Sequence, residues 1–177
     1  MSTVTFQTGA TDFSAQLTQI MEANPDAIFI SALSAEMTQI MIQGRAIGIP
    51  ASARFIVPDL TVNEVQIAGE AAEGAIAFTN WRPTSDTPGN GAFVENYRAK
   101  YGIEPDPWAA QSYATLYILA EAIGNAQSAE AAAVRDALAN IMDFPTILGQ
   151  FSFNEVGDAV YDPIVLAVEN GELVDFE

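Results

Sequence analysis

The sequence predicts an α/β fold built on a parallel sheet, and three observations carry that prediction. Continuously apolar runs recur at Ala27-Ile28-Phe29-Ile30, Phe55-Ile56-Val57 and Ala75-Ile76-Ala77-Phe78, which is how strands covered on both faces read. Between these runs lie stretches of helical periodicity with short connections. Strand and helix therefore alternate, the pattern of right-handed parallel βα units.

Each element has its own local reason. Val4 to Gln7 alternates apolar and polar residues and reads as a short strand, followed by a turn at Thr8-Gly9-Ala10-Thr11. After Asp12, the spacing of Phe13, Leu17, Ile20 and Met21 lines one face of a helix that ends near Asn24-Pro25. Ser34 is placed to N-cap a second helix, in which Met37, Ile40, Met41, Gly44 and Ile47 recur at three and four, with Gly48 as its stop. Pro58 cuts the strand at 55–57, and a weaker helical stretch over 63–72 leads through Gly74 into the strand at 75–78.

From Asn80 to Gly91 the composition turns to Pro83, Pro88, Gly89, Gly91 and small polar residues, a linker or crossover. Three helical stretches follow with no strand between them. The first carries Phe93, Val94 and Tyr97 up to Tyr101-Gly102. The second, 108–124, is the longest and most apolar, and the third, 129–140, puts Val134, Leu138 and Ile141 on one side. Phe151-Ser152-Phe153 and the run 164–168 return to strand character, and Asn170-Gly171 is a two-residue hairpin signal.

Composition excludes many chemistries. The chain has 177 residues, 23 acidic and 6 basic side chains, and a formal charge of −17, with no His and no Cys. A Cys/His zinc site, a disulfide, a Ser-His-Asp or Cys nucleophile and an imidazole acid/base are all ruled out. No catalytic residue, metal ligand or cofactor is expected. Such a polyanion repels phosphate backbones and anionic lipid surfaces, so nucleic acid is not an expected partner. Met1 to Ala10 does not read as a secretory signal, and no stretch reaches the roughly 18 to 20 apolar residues that span a bilayer.

In parallel α/β sheets ligands bind beyond the carboxyl ends of the strands. Three such loops are visible, at 31–34, 58–61 and 80–82. Asp59 is the acid directly at a strand end, where it could accept hydrogen bonds from a ligand ammonium or cap the following turn. Ser34 reads first as an N-cap. Trp81 reads first as packing over the crossover, and Trp108, at the start of the long helix, as a pocket wall or an anchor. Tyr113 and Tyr117 read as helix-core residues.

Several strings carry a resemblance. They are Thr11-Asp12-Phe13-Ser14-Ala15-Gln16-Leu17, Asn24-Pro25-Asp26-Ala27-Ile28-Phe29, Ile67-Ala68-Gly69-Glu70-Ala71-Ala72-Glu73-Gly74, the run 93–102, Ala110-Gln111-Ser112-Tyr113-Ala114 and the run 148–158. In this order they resemble the type I periplasmic solute-binding proteins of the leucine/isoleucine/valine-binding class of ABC transporters. The resemblance implies a Rossmann-like lobe with flanking helices, a helical segment and a C-terminal β-ribbon. It covers only the later part of that family's two lobes: second-lobe βα units at 1–80, a crossover at 81–91, a helical segment of the first lobe at 92–145, and a return crossover with hairpin at 146–177.

By position, the resemblance makes Asp59 the acid that receives a ligand ammonium. It places Ala32 and Leu33 where the second lobe touches the ligand and Trp108 near the aromatic wall. It implies no enzyme and no cofactor, a small polar ligand such as an amino acid trapped by lobe closure, an ABC permease as partner, and a periplasmic or extracellular location. Two other readings stand beside it: the ligand-sensing domain of a regulator with the same fold, and a flavodoxin-like enzyme with a carboxylate base. The helices of 93–140 have apolar faces without strands of their own to cover, so self-association or domain swapping is expected.

Overall fold

The computed structural model describes residues 2–176. In chain order its elements are α1 (Ser14–Glu22), β1 (Ala27–Phe29), α2 (Ser34–Ala46), β2 (Arg54–Val57), α3 (Val62–Ala68) with a 3-10 turn (Gly69–Ala72), β3 (Ile76–Thr79), α4 (Asn90–Tyr101), α5 (Pro107–Ala126), α6 (Ala131–Leu138), β4 (Phe144–Thr146), β5 (Gly149–Phe153), β6 (Ala159–Val160), β7 (Ile164–Glu169) and β8 (Glu172–Asp175). They form two compact units. One comprises the residues up to 79 and those from 164 onward, and the other residues 80–163.

The first unit is a five-stranded mixed sheet in the order β1-β2-β3-β7-β8. The three apolar runs become the parallel strands, paired through Ile28↔Phe55 and Ile56↔Ile76. The last two strands run antiparallel, with Phe78 opposite Val165 and Val168 opposite Leu173. Their turn is the expected Asn170-Gly171, with φ of 55° and 76°, the two positive values that a type I′ hairpin needs. A carboxylate the sequence did not single out holds this turn in place. Glu73 accepts the N–H groups of Asn170 and Gly171 at 2.9 and 3.2 Å.

Phe55 and Val57 are fully buried, together with Met41 of α2 and Leu17 of α1. Gly44 lets α2 approach this closely. A Cβ there would sit 3.0 Å from the Phe55 ring and 3.3 Å from Ile49. The Arg45 guanidinium lies 4.3 Å from the centroid of the same ring, and donates to the carbonyls of Pro50 and Ala53 at 2.6 and 3.0 Å.

Two expectations are corrected. Val4–Gln7 is not a strand. Phe6 packs edge-on against Phe13 at 5.2 Å, Gln16 donates to the Thr5 carbonyl at 3.3 Å, and the Gln7 carbonyl is used in a turn with Ala10 N–H. A cavity of about 560 Å³ lies between residues 2–6 and β1. Alternation alone cannot make a strand without a backbone partner alongside. Ser34 is not the N-cap of α2 either; Leu33 occupies that position, and Ser34 is the first helical residue.

In the second unit, α4, α5 and α6 pack with a small antiparallel sheet in the order β4-β5-β6. Residues 146–149 turn between β4 and β5, with Thr146 opposite Gly149. Asp106 caps α5, accepting Ala109 N–H at 2.8 Å, and Pro107 opens the first turn. One face of α5, marked by Ala110, Ala114, Ile118 and Ala122, is buried. The opposite face is also apolar: Trp108 and Leu116 are 58% and 66% exposed, with Leu119 and Ile123 continuing the stripe. Among the described residues, no helix is long and apolar enough to cross a membrane.

The Gly44 contact generates a stability prediction. Gly44→Val is expected to lower unfolding stability by about 1–3 kcal/mol through overpacking against Phe55, despite the better helix propensity of valine. Urea titration followed by far-UV circular dichroism measures it, and an unchanged midpoint would show that the Phe55 ring can yield.

Candidate ligand-binding site

Because β1 and β2 are parallel, the loops that follow them leave the same edge of the sheet. The first carries Ala32 and Leu33, the second Asp59. Ala32 packs against the core of the first unit, while Leu33 is 72% exposed at the mouth of α2. Asp59 is half-buried, and its Oδ1 accepts Leu60 N–H at 2.9 Å. It is not the helix cap; that role falls to Thr61. Leu60 anchors the loop from below, buried in the core.

One carboxylate joins the two loops. Glu64, buried in the first turn of α3, accepts Thr61 N–H at 2.6 Å through Oε2, and Thr61 Oγ1 accepts Glu64 N–H at 3.4 Å, which together make a capping box. Its other oxygen, Oε1, accepts the hydroxyl of Ser34. The sequence reading passed over Glu64, although the spacing Thr61-x-x-Glu64 before an apolar helix is a readable box signal. Its second partner, thirty positions away, leaves no local trace. Glu36 adds a further acid to the start of α2, buried and accepting Gly9 N–H at 3.0 Å, a bond that holds its carboxyl below the usual range.

The third strand-end loop belongs to the second unit. Trp81 is buried and donates its indole N–H to Asn90 Oδ1 at 2.6 Å. Asn90 in turn donates to the carbonyls of Ser85, Pro83 and Arg82, at 2.8, 3.1 and 3.4 Å. The expected packing role of Trp81 is what the structure has. The proline-rich stretch wraps around one buried amide, an organising role that the sequence reading did not assign to Asn90. Asn80 also faces inward, accepting from Gln111 at 3.1 Å.

Trp108 stands in the first turn of α5 with its ring largely exposed. Tyr113 packs on Phe93 at 4.7 Å and shares a 3.0 Å hydroxyl contact with Tyr117, which pushes the Tyr113 hydroxyl pKa up. The structure thus gathers Ala32, Leu33 and Asp59 at one sheet edge and puts Trp108 on the other unit. None of the four lines the cavity beside β1. Among the described residues, no group of three or more acidic side chains is arranged to hold a metal ion.

Parallel strands with ligand-accessible loops at their carboxyl ends place the first unit among α/β folds that bind ligands at that edge. Residues 1–172 match the periplasmic binding protein family, and the chain belongs to it. Among relatives, it is 32% identical over 152 residues to Leu/Ile/Val-binding protein homolog 1 of Brucella suis, an alignment that takes in 85% of this chain and 40% of that protein. It is 33% identical over 153 residues to the leucine-specific-binding protein of Salmonella typhimurium, again 85% of this chain and 40% of the relative. The solved leucine-binding protein LivK of Thermotoga maritima superposes with a TM-score of 0.87 at 32% identity, over 98% of this chain and 50% of that one. LivJ of Streptococcus pneumoniae, solved with isoleucine, gives 0.79 at 29% identity, over 95% and 48%. The chain therefore spans half or less of the length of these relatives.

The Asn90 hub yields a second prediction. Asn90→Ala removes the partner of a buried indole and three carbonyls, with an expected cost of about 2–3 kcal/mol. Both tryptophans, Trp81 and Trp108, lie in the second unit, so urea unfolding read by tryptophan fluorescence reports this unit. A midpoint equal to that of the parent would contradict the assignment.

Proposed function

We propose that this chain is part of the substrate-binding component of an ABC transporter, that it binds an amino acid in the periplasm or outside the cell, and that it delivers the ligand to a permease. In this reading Asp59 receives the ligand ammonium, and Ala32 and Leu33 meet the body of the ligand. Trp108 supplies an aromatic contact, and closure of two lobes traps the solute by stabilising the closed population. The observation that carries the reading is the family match over residues 1–172 together with an acid at a parallel strand end.

The relatives named above for leucine, isoleucine and valine make branched aliphatic amino acids the first to test, and the exposed Leu33 suits an apolar side chain. A desolvated ammonium–carboxylate contact is charge-assisted and contributes about 1.5–3 kcal/mol. Calorimetry with a panel of amino acids, on this chain and on a version extended to include the remaining lobe, is expected to show binding in the extended form. Asp59→Ala in that form is expected to weaken binding about tenfold to hundredfold. Unchanged affinity would remove Asp59 from the site.

In this chain by itself, we propose that a second copy covers the outward face of α5. A helix with apolar residues on opposite sides is built to be buried on both. Only Glu121 is charged along its twenty residues, so two such helices meet with little of the repulsion that a charge of −17 imposes elsewhere. Light scattering is expected to report a dimer or larger species. A compact monomer at high concentration would overturn the proposal.

A further inference from the structure

The two loops at the ligand edge are tied to each other by the Glu64 side chain. A capping box for α3 needs only the reciprocal bonds between Thr61 and Glu64. Glu64 makes those bonds and adds a second arm to the hydroxyl of Ser34 at the start of α2. The extra arm is unnecessary for either helix terminus, because α3 is already capped and Ser34 is not the cap of α2. What the arm does is span from the loop that carries Leu33 to the loop that carries Asp59. Each of these residues lies within two positions of a group bonded to Glu64: Leu33 precedes Ser34, and Asp59 precedes Leu60 and Thr61.

We infer that Glu64 is a positioning residue: its carboxylate sets the spacing between the Leu33 loop and the Asp59 loop before any ligand arrives. The inference rests on the proposal that this sheet edge faces the ligand. In this role Glu64 acts through the loops it joins. It is buried beneath the loops, where a carboxylate with two donors on different elements behaves as a rigid strut. A surface set in advance lowers the ordering cost of binding.

The two arms can be cut separately. Ser34→Ala removes the bond between loops and leaves the capping box whole, and Ser34→Thr restores the hydroxyl. Glu64→Gln keeps the shape but gives up one acceptor. Amide hydrogen exchange on this chain, without ligand, is the deciding measurement. In Ser34→Ala the amides of Leu60 and Thr61, on the far loop, are expected to exchange about two- to tenfold faster, with the melting temperature essentially unchanged and Ser34→Thr restoring protection. Acceleration confined to the start of α2 would overturn the inference, as would no change in Ser34→Ala.

Leucine titration of the same variants separates this inference from the functional proposal. If the parent binds leucine, Ser34→Ala is expected to bind it about two- to tenfold more weakly, and equal affinity would overturn the positioning role. If neither the parent nor its extended form binds any amino acid, the functional proposal fails. The positioning role toward a ligand then fails with it, even where exchange confirms the strut.

Discussion

The arrangement of the first unit depends on parallel pairing between strands of only three and four residues. Parallel strands cannot be joined by tight turns; each needs a crossover, and each crossover brings the chain back to start in the same direction. The loops after β1 and β2 therefore emerge side by side at one edge, whatever their sequences. That geometry brings Ala32, Leu33 and Asp59 to one edge, and the family resemblance supplies the roles proposed for them. Strands this short have few ladder bonds to hold them, so the edge depends on what packs behind it and on what ties its loops.

Packing behind the sheet is governed by close approach. The missing side chain at Gly44 lets α2 approach Phe55, and the Arg45 guanidinium lies over the ring while it binds the carbonyls of the next loop. One helix thereby fixes the ring of β2 and the turn that leads into β2. The opposite end of the sheet uses a different device, the Glu73 carboxylate on the β7–β8 turn. In both places a side chain from one element binds the backbone of a neighbouring turn or loop and adds ties that the short ladders lack. The second unit follows the same rule, with Asn90 gathering a proline-rich loop that has no ladder of its own.

This division explains what was legible in the sequence. The parallel strands, α1, α2, α5 and the Asn170-Gly171 hairpin were readable because period and turn chemistry are local properties. Val4–Gln7 alternates as a strand should, yet strand formation also requires a neighbouring backbone, which no periodicity encodes. The strand β4 was hidden by Pro145, a residue tolerated there because β4 lies at the edge of its sheet. Ser34 was read as a cap because Ser before a helix usually is one, and only the fold shows its hydroxyl directed to Glu64. Of the candidate site, the positions of the loops and the Thr61-x-x-Glu64 box are local signals; the Ser34–Glu64 bond that joins the two loops is not.

Donor inventory gives the edge a direction. Leu60 N–H is committed to Asp59, and Thr61 N–H and the Ser34 hydroxyl to Glu64. The loops that carry Leu33 and Asp59 thus commit these three donors to their own carboxylates. At the same edge α2 begins without a side-chain cap, and the backbone N–H groups of a helix's first turn are donors with no partner inside the helix. The edge therefore combines an acid at one strand end with a helix N-terminus at the next, two features of opposite electrostatic preference.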